Sequence, residues 1–444
     1  MAWNVAIAGG GFGGFYAARR LERVLPPGSA RVTLVSDVNF LLYTPLLPGA
    51  AAGTLEPRHV VVPLREELAK TDLRLGRVTG ASPDRNELHY TSVDGREETI
   101  RYDQLIVAIG SVSRVLPLPG LAEHGLGFKT ISEAIAMRNR ALFNLEIAES
   151  LEDPEARRPY LTFVWVGAGY AGVEGIAELQ SFVADVIERY PRSRIDGTRW
   201  VLVEAGDRIM QEIPPSLAAF TTDELRQRGI EVHTNTRVKS VEQDAVELST
   251  GERIPARTLC WTAGVKPPSV ARDLGLPIGA HGRIETDEHL RVPGYGNVWA
   301  VGDAAAVPDP AQKGKAPSPP TAQHALRQGR VAADNVAAAL GNGKLRKFTY
   351  KTLGVFVDLG RNEAVAVMLG VKLKGFPAWF AARTYHLLLM PGMGRRARLM
   401  ADWTVGLLFG RSSSELGQLG HPPDLQGYLD TPLPEPTATE AARD

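Results

Sequence analysis

Glycines at a fixed spacing are the residues of this sequence that point most directly to chemistry. Gly9, Gly11 and Gly14 form a GxGxxG turn between an apolar run and a helix-compatible segment. In such a turn the first glycine allows a tight bend, the second lets the backbone approach a pyrophosphate, and the third lets helix and strand pack closely. The N-terminus of the helix then faces the phosphates. The turn therefore predicts a bound dinucleotide.

The same pattern occurs a second time, at Gly167, Gly169 and Gly172. Both copies read apolar strand, glycine turn and small-residue helix, and a second apolar run follows each at the distance expected of a βαβ unit. Both halves then contain short alternating strands with glycine turns, "ELHYTSVDGREETIRY" and "AVELSTGERIP", which predict inserted antiparallel meanders. Two glycine turns that merely pack would not explain this repeat.

Residues at the ends of the second apolar runs indicate which dinucleotide each copy takes. Glu204 closes "VLVE", where a carboxylate can accept both ribose hydroxyls and would repel a 2′-phosphate, so it favours NADH over NADPH. Arg208 nearby keeps NADPH open. In the first copy Ser36 ends the run and Asp37 follows it, so a hydroxyl or a shifted acid is expected at that ribose.

Composition excludes several partners and chemistries. The 444 residues, 44% hydrophobic and 23% charged, indicate a globular chain of more than one domain. Lysine plus arginine equals aspartate plus glutamate at 50 each, so nucleic acid is not an expected partner. The single cysteine, Cys260, allows no internal disulfide or CxxC pair, and we expect a buried inert thiol. No metal site is expected, and the N-terminus shows no signal peptide.

An apolar and basic segment covers residues 375–411. None of its runs reaches the ~18 apolar residues needed to span a bilayer. It predicts two short helices around "MPGMG", with Leu399, Trp403 and Leu407 on one apolar arc of the second helix and Met400 beside them. Basic residues beside Trp and Phe favour a monotopic membrane anchor, and a dimerisation face or ordinary core packing is the alternative.

In combination, these motifs resemble the two-dinucleotide flavoproteins of glutathione-reductase type, and within them the type II NADH:quinone oxidoreductases. The resemblance covers about residues 4–410 and is carried by "NFLLYTPLLPGAAAGTLEPR", "GVE", "TAGVKP", "VGD" and "TAQHALRQG". It implies an α/β fold with two Rossmann-type dinucleotide-binding domains, inserted antiparallel meanders and a C-terminal α+β membrane-associating region. It also implies FAD in the first copy, NADH in the second, and a membrane quinone as acceptor.

The repeat and the resemblance together divide the chain into six expected segments. These are a first part of the FAD-binding domain at 1–120, a helical connection at 121–158, an NADH-binding domain at 159–275, a second part of the FAD-binding domain at 276–345, a membrane-association or dimer region at 346–428, and a disordered tail at 429–444.

The resemblance implies cofactor-binding residues in both halves. Those for FAD are Gly9, Gly11, Phe12, Gly13, Gly14, Ser36, Asp37, Thr44, Pro45, Leu46, Val78, Ala108, Gly110, Gly302, Asp303, Ala322 and Gln323. Those for NADH are Gly167, Gly169, Tyr170, Ala171, Gly172, Glu174, Glu204, Gly264 and Val265. The loop around Pro45 would line the isoalloxazine ring, and Asp303 would hold the ribityl or phosphate end. Core packing and a helix N-cap are the respective alternatives.

Three residues are implied in catalysis: Glu174, Gln323 and Arg327. Glu174 is expected near the nicotinamide and the flavin, although the macrodipole of a first helical turn would also favour a carboxylate there. Gln323 matches the first polar position of the family's quinone pattern, whereas Arg327 departs from the second. The two are four residues apart and share a helix face, and a solvated surface helix is the alternative.

These expectations predict electron transfer from NADH through FAD to a quinone, without proton pumping, at the cytoplasmic face of the cell membrane. The protein would supply alignment and electrostatics while the cofactors carry the reactivity. The alternatives are a soluble NAD(P)H-dependent flavin reductase or oxidase using oxygen, ferredoxin or another acceptor, an NADPH-using quinone reductase, and an NADH-sensing flavoprotein with little turnover. A homodimer stays open.

Overall fold

The computed structural model describes residues 2–308, 317–350, 354–368 and 370–416. A seven-stranded sheet forms the core of the first half, because its Val, Ile and Leu runs are buried. Its central strands pair in parallel, and an antiparallel hairpin extends one edge. In spatial order the strands are Val298–Ala300, Gln104–Val107, Trp3–Ala8, Ala30–Ser36, Asp72–Ser82, Glu87–Ser92 and Glu97–Arg101.

A five-stranded parallel sheet forms the core of the second half. In spatial order its strands are Gly125–Gly127, Thr258–Trp261, Thr162–Val166, Arg199–Val203 and Ile230–His233. The second meander is a separate antiparallel sheet of Val238–Val241, Ala245–Leu248 and Arg253–Pro255. Both predicted meanders are therefore present, although the first continues its parent sheet and the second does not.

Three long helices pack on these sheets at the glycine turns. Phe12–Val24 and Ala322–Ala339 lie together in the first half, where a Cβ on Gly329 would be 2.2 Å from the Gly13 carbonyl oxygen. Tyr170–Val186 is the equivalent helix of the second half. The other helices before residue 300 are Leu47–Ala51, Leu64–Glu67, Leu121–His124, Ile131–Ser150, Pro154–Leu161, Pro191–Asp196 and Pro215–Gln227.

Short elements complete the two halves. Three strand pairs are Phe40–Leu42 with Val61–Pro63, Val112–Ser113 with Val265–Lys266, and Ile284–Glu285 with Ala305–Ala306. Single 3₁₀ turns cover Thr44–Leu46, Pro57–His59, Pro83–Arg85, Ile187–Arg189, Ser269–Ala271, Ala280–Gly282 and Gly302–Ala304.

The C-terminal region is α+β and contacts both halves. An antiparallel sheet of Gly354–Asp358, Ala364–Met368 and Val371–Lys374 precedes the helices Gly375–Leu389 and Met393–Leu408. Val357 and Val365 belong to the apolar core of the second half, whereas Met390 and Leu399 belong to that of the first. The two helices around "MPGMG" are thus confirmed, while the six segment boundaries stay predictions.

The last helix differs from the single apolar arc that the sequence predicts. Leu399 is buried, but Met400 and Leu407 are at least half exposed, so the core covers only one end of the arc. In the described ranges we find no helix with the length and apolar content to cross a bilayer. The tail at 429–444, predicted to be disordered, lies outside the described residues.

Candidate functional site

The first glycine turn has the geometry that a pyrophosphate requires. Gly9 has a φ of 104°, and its N–H donates to the Val35 carbonyl at 2.8 Å. A Cβ on Gly14 would lie 1.8 Å from the Gly9 carbonyl oxygen, so only glycine fits where the helix crosses the turn. A Cβ on Gly11 would meet no atom within 4 Å. The start of the helix is therefore open to a phosphate.

The second glycine turn repeats this geometry. Gly167 has a φ of 95° and donates to the Val203 carbonyl at 2.8 Å. A Cβ on Gly172 would again lie 1.8 Å from the carbonyl oxygen of the first glycine, and one on Gly169 would again meet nothing within 4 Å. In both turns the third glycine packs closely against the first, and the second glycine, at the start of the helix, leaves space for a ligand. Both turns therefore fit a dinucleotide.

Glu204 is tied to the second glycine turn. Its two carboxylate oxygens accept hydrogen bonds from the N–H groups of Ala168 at 2.8 Å and Gly206 at 2.7 Å. Each oxygen keeps a second lone pair, so the carboxylate can still accept ribose hydroxyls. Arg208, the residue that left NADPH as an alternative substrate, donates to the carbonyls of three residues that follow it in the chain, Met210, Gln211 and Ile213.

In the first half, the two residues predicted to contact the ribose, Ser36 and Asp37, differ in their surroundings. Ser36 is buried, and its hydroxyl donates to the Val38 carbonyl at 2.7 Å. Asp37 is exposed. Of the two predicted ribose partners, Asp37 is therefore the one whose side chain a ligand can approach freely.

Asp303 lies at the end of the strand Val298–Ala300, in a 3₁₀ turn rather than at a helix N-cap. Its carboxylate accepts from the Ser111 hydroxyl at 2.6 Å, and that hydroxyl accepts from the Lys129 ammonium at 2.9 Å. The neighbouring Gly302 N–H donates to the buried Gln328 amide oxygen at 2.7 Å. Ser111 and Lys129 were missed from the sequence because neither belongs to a recognisable motif, and Gln328 was missed although it lies within "TAQHALRQG".

The two halves meet beside predicted residues of both cofactors. Strand Val112–Ser113 pairs with Val265–Lys266; the first strand begins two residues after Gly110 and the second directly after Gly264. Both glycines have positive φ, 67° and 94°, and neither would place a Cβ within 4 Å of another atom. The predicted FAD and NADH residues of these turns therefore lie side by side.

The remaining predicted cofactor residues lie near the turns, apart from Val78. The Ala108 carbonyl oxygen would be 2.3 Å from a Cβ on Gly9. Phe12 begins the first glycine helix, Tyr170 and Ala171 begin the second, and Ala322 begins the helix that carries Gln323. Val78 lies farther along the first sheet, in Asp72–Ser82, where it pairs with Tyr90.

A small cavity of about 30 Å³ lies where the predicted flavin loop, the second glycine helix and the C-terminal region meet. The residues that line it include Pro45, Leu46, Glu174, Glu178, Asp358 and His386. The structure therefore brings Glu174 to the loop around Pro45, and it adds side chains from the C-terminal region. Gln323 and Arg327 do not line this cavity.

Glu174 is held by backbone rather than by a helix terminus. The helix begins at Tyr170, so Glu174 lies beyond its first turn and the macrodipole explanation is wrong. Instead its carboxyl oxygen accepts from the Asp358 N–H at 3.0 Å. Burial raises the pKa of Glu174 well above its usual value.

Two further carboxyl groups share this environment. Glu178, one helical turn beyond Glu174, is buried, and burial together with Asp358 raises its pKa to about 7, against the opposing effect of Arg411 and Arg383. Burial also raises the pKa of Asp358. The spacing of the two glutamates would have revealed Glu178 as a neighbour. Asp358 comes from a strand 184 residues after Glu174, so no local signal marks it.

Aromatic contacts connect the first glycine helix to the C-terminal region. The ring of Tyr43 lies 5.7 Å from that of Phe12 and 5.9 Å from that of His386. The Tyr43 hydroxyl is 3.3 Å from Nδ1 of His386. Burial lowers the pKa of His386 to about 4, so its ring is neutral at physiological pH.

Gln323 and Arg327 lie on one face of the helix, as their spacing predicts, and both contact Tyr350. The Tyr350 hydroxyl donates to the Gln323 amide oxygen at 2.7 Å. The Arg327 guanidinium lies 4.0 Å from the centre of the Tyr350 ring, and it donates to the Gln323 carbonyl at 2.9 Å. These contacts hold both side chains half-buried rather than solvated.

Large apolar side chains are exposed on the two C-terminal helices and the residue after them, and we name this set the apolar patch. It consists of Phe376, Phe380, Leu388, Met400, Val405, Leu407, Leu408 and Phe409, each at least half exposed.

The single cysteine, Cys260, is buried in the second sheet, and burial raises its pKa well above the usual value. The predicted burial of this thiol is confirmed, while its inertness stays a prediction.

Comparison with known proteins relates this geometry to a family. The family model for pyridine nucleotide-disulphide oxidoreductases matches residues 3–329. The type II NADH:quinone oxidoreductase Ndh of Mycobacterium tuberculosis is 30% identical over 432 residues, which are 94% of this chain and 89% of that protein. The demethylphylloquinone reductase NdbB of Synechocystis is 30% identical over 415 residues, 90% of this chain and 97% of that protein.

A solved structure supports the fold independently. NDH2 from Plasmodium falciparum, solved in complex with NADH, superposes with a TM-score of 0.85 at 19% identity. The match covers 93% of this chain and all of that chain. At this identity the likeness concerns the fold alone, and it confirms the predicted α/β architecture.

Proposed function

The chain belongs to the pyridine nucleotide-disulphide oxidoreductase family, and from this premise we propose that it oxidises NADH and reduces a membrane quinone through FAD. The membership confirms the family predicted from the sequence. Two relatives that cover nine-tenths of the chain or more carry the names of quinone reductases, which supports the choice of acceptor. With only one cysteine, the chain has no internal dithiol to accept electrons.

One observation carries the proposal: the predicted flavin loop, Glu174 and the C-terminal region line the same cavity. Electrons leaving a flavin at Pro45 and Leu46 would arrive beside the region that holds the apolar patch. The cavity has about the volume of one water molecule. A quinone ring therefore enters only if the C-terminal side chains around it move apart.

The glycine turns assign the cofactors in this proposal. The open helix starts at Gly11 and Gly169 would hold the pyrophosphates of FAD and NADH respectively, and Glu204 would hold the NADH ribose. Asp303, fixed by Ser111, would hold the ribityl or phosphate end of FAD. The bound cofactors supply the redox chemistry, which is hydride transfer from nicotinamide to flavin and two-electron transfer to quinone.

The carboxyl groups of the cavity supply protons in this proposal. Reducing a quinone to a quinol takes up two electrons and two protons, of which NADH provides both electrons and one proton. A second proton must come from the protein or from water. Burial raises the pKa values of both Glu174 and Glu178, that of Glu178 to about 7, so these carboxyl groups would donate a proton near neutral pH more readily than exposed glutamates. His386 lines the same cavity, but burial lowers its pKa to about 4, so it is not the group that takes up this proton.

We further propose that the apolar patch is the peripheral membrane contact, within residues 375–411 and at the cytoplasmic face. Eight large apolar side chains, each at least half exposed, are concentrated on two consecutive helices and the residue after them, whereas exposed apolar residues on soluble surfaces are normally scattered singly. Arg398 lies on the same helix, and such basic residues favour anionic membrane surfaces. The proposed reaction pumps no protons.

Replacing Glu174 by Gln tests the proposal. The amide oxygen can still accept from the Asp358 N–H, so the fold is preserved, but the proton is lost. We expect flavin reduction by NADH at the wild-type rate and reoxidation by a short-chain quinone slowed roughly 100-fold, as for loss of a general acid. Glu66→Gln, at an exposed position away from the cavity, is the control.

Three outcomes would contradict the proposal. If Glu174→Gln slows both half-reactions equally, the residue has a structural role only. If the wild-type protein is reoxidised by oxygen or ferredoxin and not by quinone, it is a soluble reductase or oxidase. If NADH forms a long-lived complex with little turnover, it is a sensor.

A further inference from the structure

A second cavity, of about 550 Å³, lies on the outer side of the first glycine helix. Six arginines and a single acid, Asp334, line it. The arginines are Arg19, Arg20 and Arg23 of Phe12–Val24, Arg327 and Arg330 of Ala322–Ala339, and Arg346. We name this cavity the arginine pocket. It is separate from the open end of the glycine turn, because the pocket begins one helical turn beyond it, at Tyr16.

The acids near the arginine pocket neutralise only part of its charge. Asp334 pairs with Arg20 at 2.7 Å and with Arg346 at 2.8 Å. Arg19 lies 3.4 Å from Glu67, which also pairs with Arg395. Three arginines remain without a carboxylate partner in the described part of the chain.

These three unpaired arginines are Arg23, Arg327 and Arg330. Arg330 lies over the Tyr16 ring at 4.9 Å and Arg327 over the Tyr350 ring at 4.0 Å. Stacking on aromatic rings fixes both guanidinium groups without neutralising them. Burial lowers the pKa of Arg330, and the positive charges of Arg327, Arg19 and Arg23 lower it further.

The arginines of the pocket therefore repel one another, although the net charge of the whole chain is zero. Arg19 and Arg23 are four residues apart on one helix, and Arg327 and Arg330 are three apart on another, and like charges at these spacings destabilise helices. An anion between the two helices would remove the repulsion. Guanidinium groups bind phosphate through paired N–H donors, so phosphate suits this pocket better than a single carboxylate.

We propose that the arginine pocket binds a phosphate group, supplied by the headgroup of an anionic phospholipid. Glu67 joins Arg19 of the pocket to Arg395 of the helix Met393–Leu408, which carries half of the apolar patch. The contact through Glu67 places Arg19 of the pocket beside the first turn of that helix, and this link to the proposed membrane contact favours a lipid headgroup over a soluble anion. Apart from Arg327, the site uses none of the flavin, NADH or quinone contacts, and as a lipid site it rests on the membrane contact proposed above for the apolar patch. It also gives Arg327 a reason for departing from the family's pattern.

Flotation of the full FAD-loaded chain with vesicles tests the proposal. We expect tighter binding to phosphatidylcholine vesicles containing phosphatidylglycerol than to pure phosphatidylcholine vesicles. Arg23→Gln and Arg330→Gln should each weaken that preference about fivefold, and the double variant about 25-fold, in line with the contribution of single basic residues at anionic surfaces. Arg23 and Arg330 are both exposed, in spite of the contact of Arg330 with Tyr16, and neither forms an ion pair in the described ranges, so folding is preserved.

Matched controls separate this site from general electrostatics and identify the source of the phosphate. Arg272→Gln removes the same charge at an exposed position outside the pocket and should leave the preference intact. In a lipid-free arm, inorganic pyrophosphate is added and the melting temperature is measured. In one outcome, pyrophosphate raises the melting temperature of the wild-type protein but not that of the double variant, while neither protein prefers phosphatidylglycerol vesicles. That result would show a phosphate site in the pocket that takes its phosphate from a soluble molecule and not from a lipid.

Two results would overturn the proposal. One is the absence of both a phosphatidylglycerol preference and a pyrophosphate effect in the wild-type protein. The other is an equal loss in Arg272→Gln and in the pocket variants. Turnover with NADH and a short-chain quinone in detergent is the separate readout of the proposed function, and it should not change in the Arg23 and Arg330 variants.

Discussion

Replacing Gly172 by Ala should strongly slow the reduction of the flavin by NADH while FAD stays bound. The added Cβ would lie 1.8 Å from the Gly167 carbonyl oxygen, whereas real Cβ atoms keep at least 3.0 Å from such neighbours. The helix start and the turn must therefore separate by more than about 1 Å. A displacement of that size between reacting groups costs roughly 100-fold in rate, so flavin bleaching by NADH should slow about 100-fold.

Stopped-flow absorbance after anaerobic mixing with NADH measures this rate, and two matched variants sharpen it. Gly169→Ala adds the same methyl group where no protein atom lies within 4 Å, so it should leave FAD content unchanged and raise only the NADH concentration needed. Gly14→Ala repeats the 1.8 Å contact in the first turn and should instead lose FAD. Wild-type bleaching in Gly172→Ala, or FAD loss in that variant alone, would refute the assignment of the two turns.

Three more predictions concern other parts of the site. Glu204→Gln leaves one side-chain oxygen to accept from the two N–H groups that the carboxylate now holds. The steady-state KM should therefore rise about tenfold for NADH and less for NADPH. An unchanged ratio of the KM values for NADH and NADPH would count against a contact of Glu204 with the ribose. Because its folded pKa is raised to about 7, the protonated carboxyl of Glu178 stabilises the wild-type fold below its ordinary pKa. That stability is lost as pH rises from the ordinary pKa of 4.5 through the folded pKa of about 7. Glu178→Gln should therefore flatten the pH profile of the unfolding free energy in urea, removing a decrease of roughly 3 kcal/mol between pH 4 and pH 8, and equal pH profiles in the two proteins would contradict this. Leu407→Ser with Leu408→Ser should reduce flotation with vesicles of any lipid, while the same exchange at exposed Ile195 should not.

The glycine turns were predictable because their physics is local. Gly9, Gly11 and Gly14 are five residues apart at most, and the tight turn, the open helix start and the close crossing depend only on their own backbone. The repeat of the same three positions at Gly167 to Gly172 made the fold class predictable as well. Glu204 was found for the same reason, since it ends a strand that the repeat itself locates.

The contacts around these turns were not predictable, because they join distant parts of the chain. Ser111 is 192 residues away from Asp303 in the chain, and Tyr350 contacts Gln323 from a segment that has neither regular secondary structure nor a motif. The polar face at Gln323 and Arg327 was visible from the sequence, but its aromatic partner was not. Periodicity also predicted one apolar arc on the last helix, yet it could not tell which end the core covers.

Anaerobic addition of NADH to the purified yellow protein, followed by a short-chain quinone, tests the central claim most directly. The account predicts that NADH bleaches the flavin absorbance rapidly and that one equivalent of quinone restores it with formation of the quinol. NADPH, added separately, should bleach it more slowly because of Glu204. A flavin that NADH does not bleach, or one that stays reduced after quinone is added, would contradict the account.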